Sequence, residues 1–164
     1  MALPKGAIAP QFKLPSSNGG DFAYPADAQG KPILLFFYPK NETRVCTQEA
    51  CSFRDRHEQF LLLGVQVVGI SRDSLESHKA FVRNRHLPYP LLSDEDGRVS
   101  KLYDAKIPLV GLSRRVTYLI GPKGKIEEVY DRLFEGEGHI THMLAYIHKH
   151  GLVQRWAAIP QATT

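Results

Sequence analysis

The chain has 164 residues, 43 % of them hydrophobic and 23 % charged, ordinary proportions for one folded domain with its own core. Its 21 Lys and Arg against 17 Asp and Glu leave a net charge of +4, milder than a nucleic-acid tail, and no aromatic-basic stacking pattern accompanies it, so nucleic acid is not an expected partner. Two cysteines are too few for a disulfide scaffold, a four-cysteine zinc site or an iron–sulfur cluster.

The N-terminal segment lacks a continuous apolar core of the signal-peptide kind. No apolar stretch approaches the ~20 residues of a membrane span. Neither membrane association nor a metal or organic cofactor is expected, and the compartment expected is cytoplasmic. Thiols stay reduced there unless they are catalytic, metal-binding or redox-sensing.

In chain order, the stretch up to Gly30 is rich in Gly, Pro, Ser and Asn and reads as turns with short strands. Lys31 to Tyr38 is a near-continuous apolar run, the signature of a strand covered on both faces, and Pro39 ends it. From Thr43 to Leu63 the period turns helical, with Ala50, Phe53, Phe60 and Leu61 on one stripe and Gly64 placed to close it. Val65 to Ile70 is a second buried strand, and Ser74 is the expected N-cap of a helix running to about Arg85.

Leu91 and Leu92 suggest a short strand, and Val99 to Tyr103 a short helix. Arg115 to Ile120 reads as a strand, Gly121 to Gly124 as a tight turn and Ile126 to Tyr130 as its antiparallel partner. His139 to His150 is an amphipathic helix with Ile140, Met143, Leu144 and Ile147 on one face. Residues 151–164 are expected to be a loose tail. The order predicts a single α/β domain over 1–164, with a mixed central sheet flanked by helices, and a thioredoxin-like layout fits it.

Cys46 falls just after a buried strand, at the start of a helix. With Thr43 as N-cap it is the third helical residue, beside the first-turn amides and the positive end of the helix dipole, which favours a thiolate. Ionisation alone is a limited gain. A thiol of pKa ~8.5 is already roughly 7 % thiolate near neutral pH, so full ionisation raises the reactive species only about 13-fold. Faster chemistry needs groups that stabilise charge developing in the transition state, and Thr and Arg suit that role.

Cys51 stands five positions on. On a regular helix this separates the Cα atoms by about 8.7 Å, beyond the roughly 7 Å limit of a disulfide. Bonding therefore requires the first turns to unwind. By itself Cys51 reads equally well as a small buried hydrophobe.

The string Pro39-Lys-Asn-Glu-Thr43-Arg-Val-Cys46 matches the P-x-x-x-T-x-x-C motif of peroxiredoxins. The wider segment FFYPKNETRVCTQEACSFRD resembles the active-site segment of the Q-type, or bacterioferritin comigratory protein, branch. Ala9-Pro10, Gly69 to Ser74 and Arg115 to Ile120 extend the likeness over almost the whole chain. The resemblance implies a thioredoxin-fold thiol peroxidase that reduces hydrogen peroxide and organic hydroperoxides. In it Cys46 is the peroxidatic cysteine, oxidised to a sulfenic acid, and Cys51 the resolving cysteine that closes an intramolecular disulfide. Thr43 orients the peroxide, Pro39 shields the site, Arg115 stands beside the sulfur and Glu49 holds the arginine. The implied partners are a peroxide and a thioredoxin-type reductant, and because both cysteines share one chain a monomer suffices.

Two other readings accompany this one: a one-cysteine peroxidase resolved by an external thiol, and a peroxide sensor that passes oxidation to a partner. The sequence departs from the branch pattern at Arg44-Val45, where Pro-Gly is usual. Arg114, next to Arg115, would take its place after a one-residue slip of strand register. His139, His142, His148 and His150 read as a solvated polar helix face, and His57 and His78 as ordinary helix residues. Asp94 to Gly97 reads as a turn.

Overall fold

A computed structural model describes residues 2–133 and 135–158. The central sheet has five strands. They are β3 (Ile33–Phe37), β4 (Gln66–Ser71), β5 (Leu91–Ser93), β6 (Val116–Ile120) and β7 (Ile126–Asp131), in the order β5-β4-β3-β6-β7. A two-stranded antiparallel hairpin, β1 (Phe12–Pro15) and β2 (Asp21–Tyr24), precedes them. Strands β3, β4 and β5 run parallel, while β6 pairs antiparallel with both β3 and β7. This is the mixed thioredoxin-like sheet expected from the element order.

Pleating sorts the side chains of each strand to two faces. Leu34, Phe36, Val67, Leu91 and Leu119 point to one face. Helices α1 (Arg44–Asp55), α2 (His57–Leu62), α3 (Leu75–Arg85), α5 (Gly136–Lys149) and α6 (Leu152–Ala157) supply buried side chains to that side. Ile33, Leu35, Phe37, Ile70, Val116 and Tyr118 point to the other, where the hairpin and Val99 of α4 (Arg98–Leu102) cover them. Strands that are apolar on both sides, as β3 and β6 are, follow from this double cover.

The sheet edges and turns agree with their sequence signals. Ser74 caps α3 by accepting from the Ser77 amide at 3.2 Å. Gly64 adopts φ 76° after α2, and Gly124 adopts φ 82° in the β6–β7 turn, a region open to glycine at low cost. Asp94 is more than a turn residue. Its buried carboxylate accepts from the Val99 and Ser100 amides and the Ser100 hydroxyl, which caps α4 from within.

Two expectations need correction. The helical stretch from Thr43 to Leu63 is broken at Arg56 (φ −106°, ψ 6°) into α1 and α2. The stripe loses register at the break, so Phe60 stays in the core while Leu61 turns outward at 57 % exposure. The tail expected to be loose from residue 151 begins instead with α6, whose Leu152 and Trp156 are buried in the core against α5. An apolar pair four residues apart is one face of a helix, and that spacing was present in the sequence. The remainder of that tail, from 159 on, lies outside the described residues.

Candidate active site

Helix α1 leaves the C-terminal end of β3 through a short loop, Tyr38 to Thr43. Thr43 is the N-cap residue in extended conformation (φ −83°, ψ 157°), so Cys46 is indeed the third residue of the helix. The Thr43 hydroxyl donates back to the Lys40 carbonyl at 2.7 Å rather than capping the helix. That bond holds the loop in a tight turn and leaves the oxygen's lone pairs as acceptors. Pro39 is half-buried between β3 and this turn, and Arg44 is exposed.

The loop is anchored from below by a buried polar network. The Tyr38 hydroxyl donates to Asn41 Oδ1 at 2.6 Å. Asn41 Nδ2 donates to His78 Nδ1 and to Ser77 Oγ, each at 3.0 Å. The Asn41 amide donates to Asp73, which also accepts from the Ser71 hydroxyl. His78 is therefore no ordinary helix residue: it is fully buried, and burial pushes its pKa down. As a neutral ring it accepts from Asn41 and fixes the strand-to-helix loop that presents Cys46.

Cys46 is 1 % exposed. Arg115 Nη2 donates to its sulfur at 3.0 Å, Arg115 Nη1 donates to Glu49 Oε1 at 2.7 Å, and Arg115 Nε donates to the Leu133 carbonyl at 2.5 Å. One planar guanidinium thus spends its fork on three partners, two on α1 and one in the segment after β7, a geometry no lysine can copy. The alternation of β6 decides the arginine question. Arg115 shares the α1 face of the sheet with Thr117 and Leu119, whereas Arg114 projects to the opposite side and pairs with Asp131. Glu49 is completely buried on α1, one helical turn beyond Cys46. Burial pushes its pKa up to about 8, with Arg115 pulling the other way.

Cys51 lies on the same unbroken helix, half-buried, with a free thiol. The helix around it is pinned by Tyr89, whose hydroxyl donates to the Ala50 carbonyl at 2.6 Å. The structure thus brings Cys46, Arg115 and Glu49, which the resemblance named, into direct contact, with Thr43 and Pro39 at the loop beside them and Cys51 further along α1, whereas the residue-by-residue sequence reading does less well nearby. It misplaces His139. That ring is fully buried, bonded to Thr117 Oγ1 at 2.7 Å and to the Arg132 carbonyl at 2.8 Å, and 3.5 Å from Glu49. His142 is half-buried, and only His148 and His150 match the solvated face. The missed signal was the spacing of His139 to Met143, four residues along the apolar stripe.

The N-terminus of α5 wedges against the first turns of α1. A Cβ on Gly136 would stand 2.8 Å from the Val45 carbonyl oxygen and 3.0 Å from the Glu49 amide nitrogen. Backbone atoms of a helix yield only if the helix moves. Gly136→Ala should cost about 1–3 kcal/mol by overpacking, seen as a lower urea midpoint with an unchanged slope. An unchanged midpoint would show that α1 and α5 separate freely.

A Cys46–Cys51 disulfide, which the resemblance implies, would make a second demand on α1. Oxidation with peroxide should strip amide protection from residues 43–55 and reduce the far-UV helical signal, because the two sulfurs meet only when the helix opens. Oxidised protein with full protection in that stretch would rule this out.

Comparison with known proteins agrees with this layout. Residues 6–129 match the AhpC/TSA family. The chain is 43 % identical over 143 residues to chloroplastic peroxiredoxin Q from Sedum lineare, covering 87 % of this chain and 76 % of that protein. Among solved structures it is similar to peroxidoxin BcpB from Mycobacterium tuberculosis (TM-score 0.83, 33 % identity, 88 % of this chain and 96 % of that one). It is also similar to the bacterioferritin comigratory protein of Xanthomonas campestris (TM-score 0.77, 28 % identity, 85 % and 91 %).

A buried thiol at a helix start, faced by a guanidinium on a thioredoxin-like sheet, defines a thiol-dependent peroxidase. The chain belongs to the AhpC/TSA family of peroxiredoxins, in its Q-type branch. Among the described residues no helix is long and apolar enough to cross a membrane, and no cluster of His, Cys, Asp and Glu could hold a metal ion.

Proposed function

We propose that Cys46 carries the peroxidase reaction and Cys51 resolves it. The observation that supports this most is the 3.0 Å contact between Arg115 Nη2 and the Cys46 sulfur, both groups being nearly inaccessible to water. The Cys46 thiolate attacks one peroxide oxygen. An S–O bond forms, the O–O bond breaks, and the departing oxygen takes a proton to leave as water or an alcohol. The negative charge passes from sulfur to the leaving oxygen along a line that Arg115 borders. A fixed donor there stabilises the transition state more than the resting thiolate.

Thr43 offers its oxygen as acceptor to the peroxide hydroxyl, since its own hydrogen is engaged with Lys40. Pro39 shields the site from water, and Glu49 holds the arginine fork in place. The sulfenic acid then condenses with the Cys51 thiol. Water leaves, and the disulfide that forms is reduced by exchange with a thioredoxin-type dithiol. Small alkyl hydroperoxides are reasonable substrates beside hydrogen peroxide; the Xanthomonas campestris relative is described by its alkyl peroxide reduction activity. A monomer suffices for this scheme, because the attacking and the resolving thiol lie on one helix of one chain, and the cytoplasm is a compartment that keeps both thiols reduced between turnovers.

Mass measurement after one equivalent of peroxide tests the scheme. Loss of two hydrogens, followed by turnover with thioredoxin, is expected. A stable gain of one oxygen would assign resolution to an external thiol. Oxidation that thioredoxin does not reverse, with no sustained peroxide consumption, would point to a sensor.

A further inference from the structure

Glu49 has two carboxyl oxygens in different situations. Oε1 accepts from Arg115, while Oε2 is fully buried and has no hydrogen-bond partner. The nearest polar atom to consider is His139 Nδ1, 3.5 Å away on α5. Orphaned carboxylate oxygens are costly inside a protein, so this one calls for an explanation.

The tautomer of His139 follows from its other nitrogen. Nε2 faces the Arg132 carbonyl at 2.8 Å, and a carbonyl only accepts, so Nε2 carries the hydrogen. Nδ1 of the neutral ring is then a lone pair that accepts from the Thr117 hydroxyl at 2.7 Å and lies 3.5 Å from a carboxylate oxygen that is also electron-rich. A proton on either atom turns that repulsion into attraction across the gap. Thr117 Oγ1, 2.7 Å from Nδ1, tolerates either state, because a hydroxyl both donates and accepts.

Charge counting leads the same way. With Cys46 as thiolate and Glu49 as carboxylate, two negative charges face the single positive charge of Arg115 in a site closed to water. An uncompensated buried charge is expensive. The other ionisable groups facing the pair do not supply the missing positive charge. Burial keeps Tyr38 and Tyr89 protonated and neutral. Tyr130 stacks edge-on against His139 and donates to Glu135 at the surface, and His142 bonds to Glu128.

We propose that Glu49 Oε2 and His139 Nδ1 share one proton, held while Cys46 carries its negative charge and released when that charge is gone. His139 is thereby a positioning residue, keeping Glu49 and through it the Arg115 fork in balance with the sulfur. The proposal rests on Cys46 being the reacting thiol.

Nuclear magnetic resonance with isotope labels in glutamate carboxyls and histidine rings tests it without any peroxide. In the reduced wild type, the Glu49 carboxyl and the His139 Nδ1 signals should titrate with one common midpoint. In Cys46→Ser, a neutral side chain of similar size, both midpoints should fall together by about one pH unit or more, a tenfold change. In His139→Gln, the Glu49 midpoint should move although the amide spectrum stays that of the folded protein. Independent midpoints, or midpoints indifferent to Cys46→Ser, would overturn the shared proton. Peroxide consumption by the wild type, measured separately, decides the role of Cys46. A working peroxidase with independent midpoints would sink only this inference.

Discussion

Cys46→Ser should abolish peroxide turnover with every substrate, because the hydroxyl that replaces the thiol stays protonated and is a poor nucleophile. The fold should survive, since the exchange removes no core volume of consequence and the Arg115–Glu49 pair remains. Cys51→Ser should behave differently. Its first equivalent of peroxide should react at the wild-type rate, because the hydrogen bonds of Arg115 go to Cys46, Glu49 and the Leu133 carbonyl and not to Cys51. Recycling should then stall, leaving Cys46 at the sulfenic stage and exposed to further, irreversible oxidation. Stopped-flow measurement of the first equivalent, followed by steady-state consumption with thioredoxin, separates the two variants. Comparable loss of the first oxidation in both would show that Cys51 also takes part in the peroxide step.

Arg115→Met should lower the second-order rate with peroxide by about 10²–10³-fold, the usual cost of removing one preorganised donor from a developing anion. Arg115→Lys should recover little of this. A single ammonium cannot reach Cys46, Glu49 and the Leu133 carbonyl together, as the guanidinium does. Both changes leave Glu49 buried without its fork. Their stability should fall as well, and the rate must be read under conditions where the variants are folded. Arg114→Met should stay within a few-fold of the wild type, since that side chain pairs with Asp131 on the far side of the sheet. Loss of activity in the Arg114 variant with retention in the Arg115 variants would mean that the register of β6 has been misassigned.

Much of the site is legible in local sequence because its chemistry is local. A buried strand followed by a capped helix puts the thiol at a helix start, and the P-x-x-x-T-x-x-C spacing sets Pro39, Thr43 and Cys46 along one loop and turn. Helical arithmetic alone separates Cys46 from Cys51 and demands that the helix open. The alternation of β6 also lies in the sequence, although only its pairing with β3, Phe37 opposite Val116, shows which face Arg115 takes.

Other parts are long-range and leave no local trace. Glu49 is a charged residue on an amphipathic helix, and nothing within α1 says that its flank is closed by Gly136 of α5. His139 sits where an apolar stripe begins, and periodicity cannot tell a buried histidine from one at the margin of a solvated face. The break at Arg56 and the docking of α6 are likewise decided by how neighbouring segments pack.

Composition and spacing by themselves determined an α/β chain with a thiol at a helix start and a second thiol five residues on, and the motif around Cys46, through its resemblance to peroxiredoxins, implied the class. Tertiary structure alone decided which arginine faces the sulfur, that Glu49 is sealed from water, and that His139 stands against it. The physical reason is the range of the forces involved. Secondary structure and helix-end electrostatics act over a few residues of sequence, whereas desolvation and charge balance depend on every segment that closes around the site.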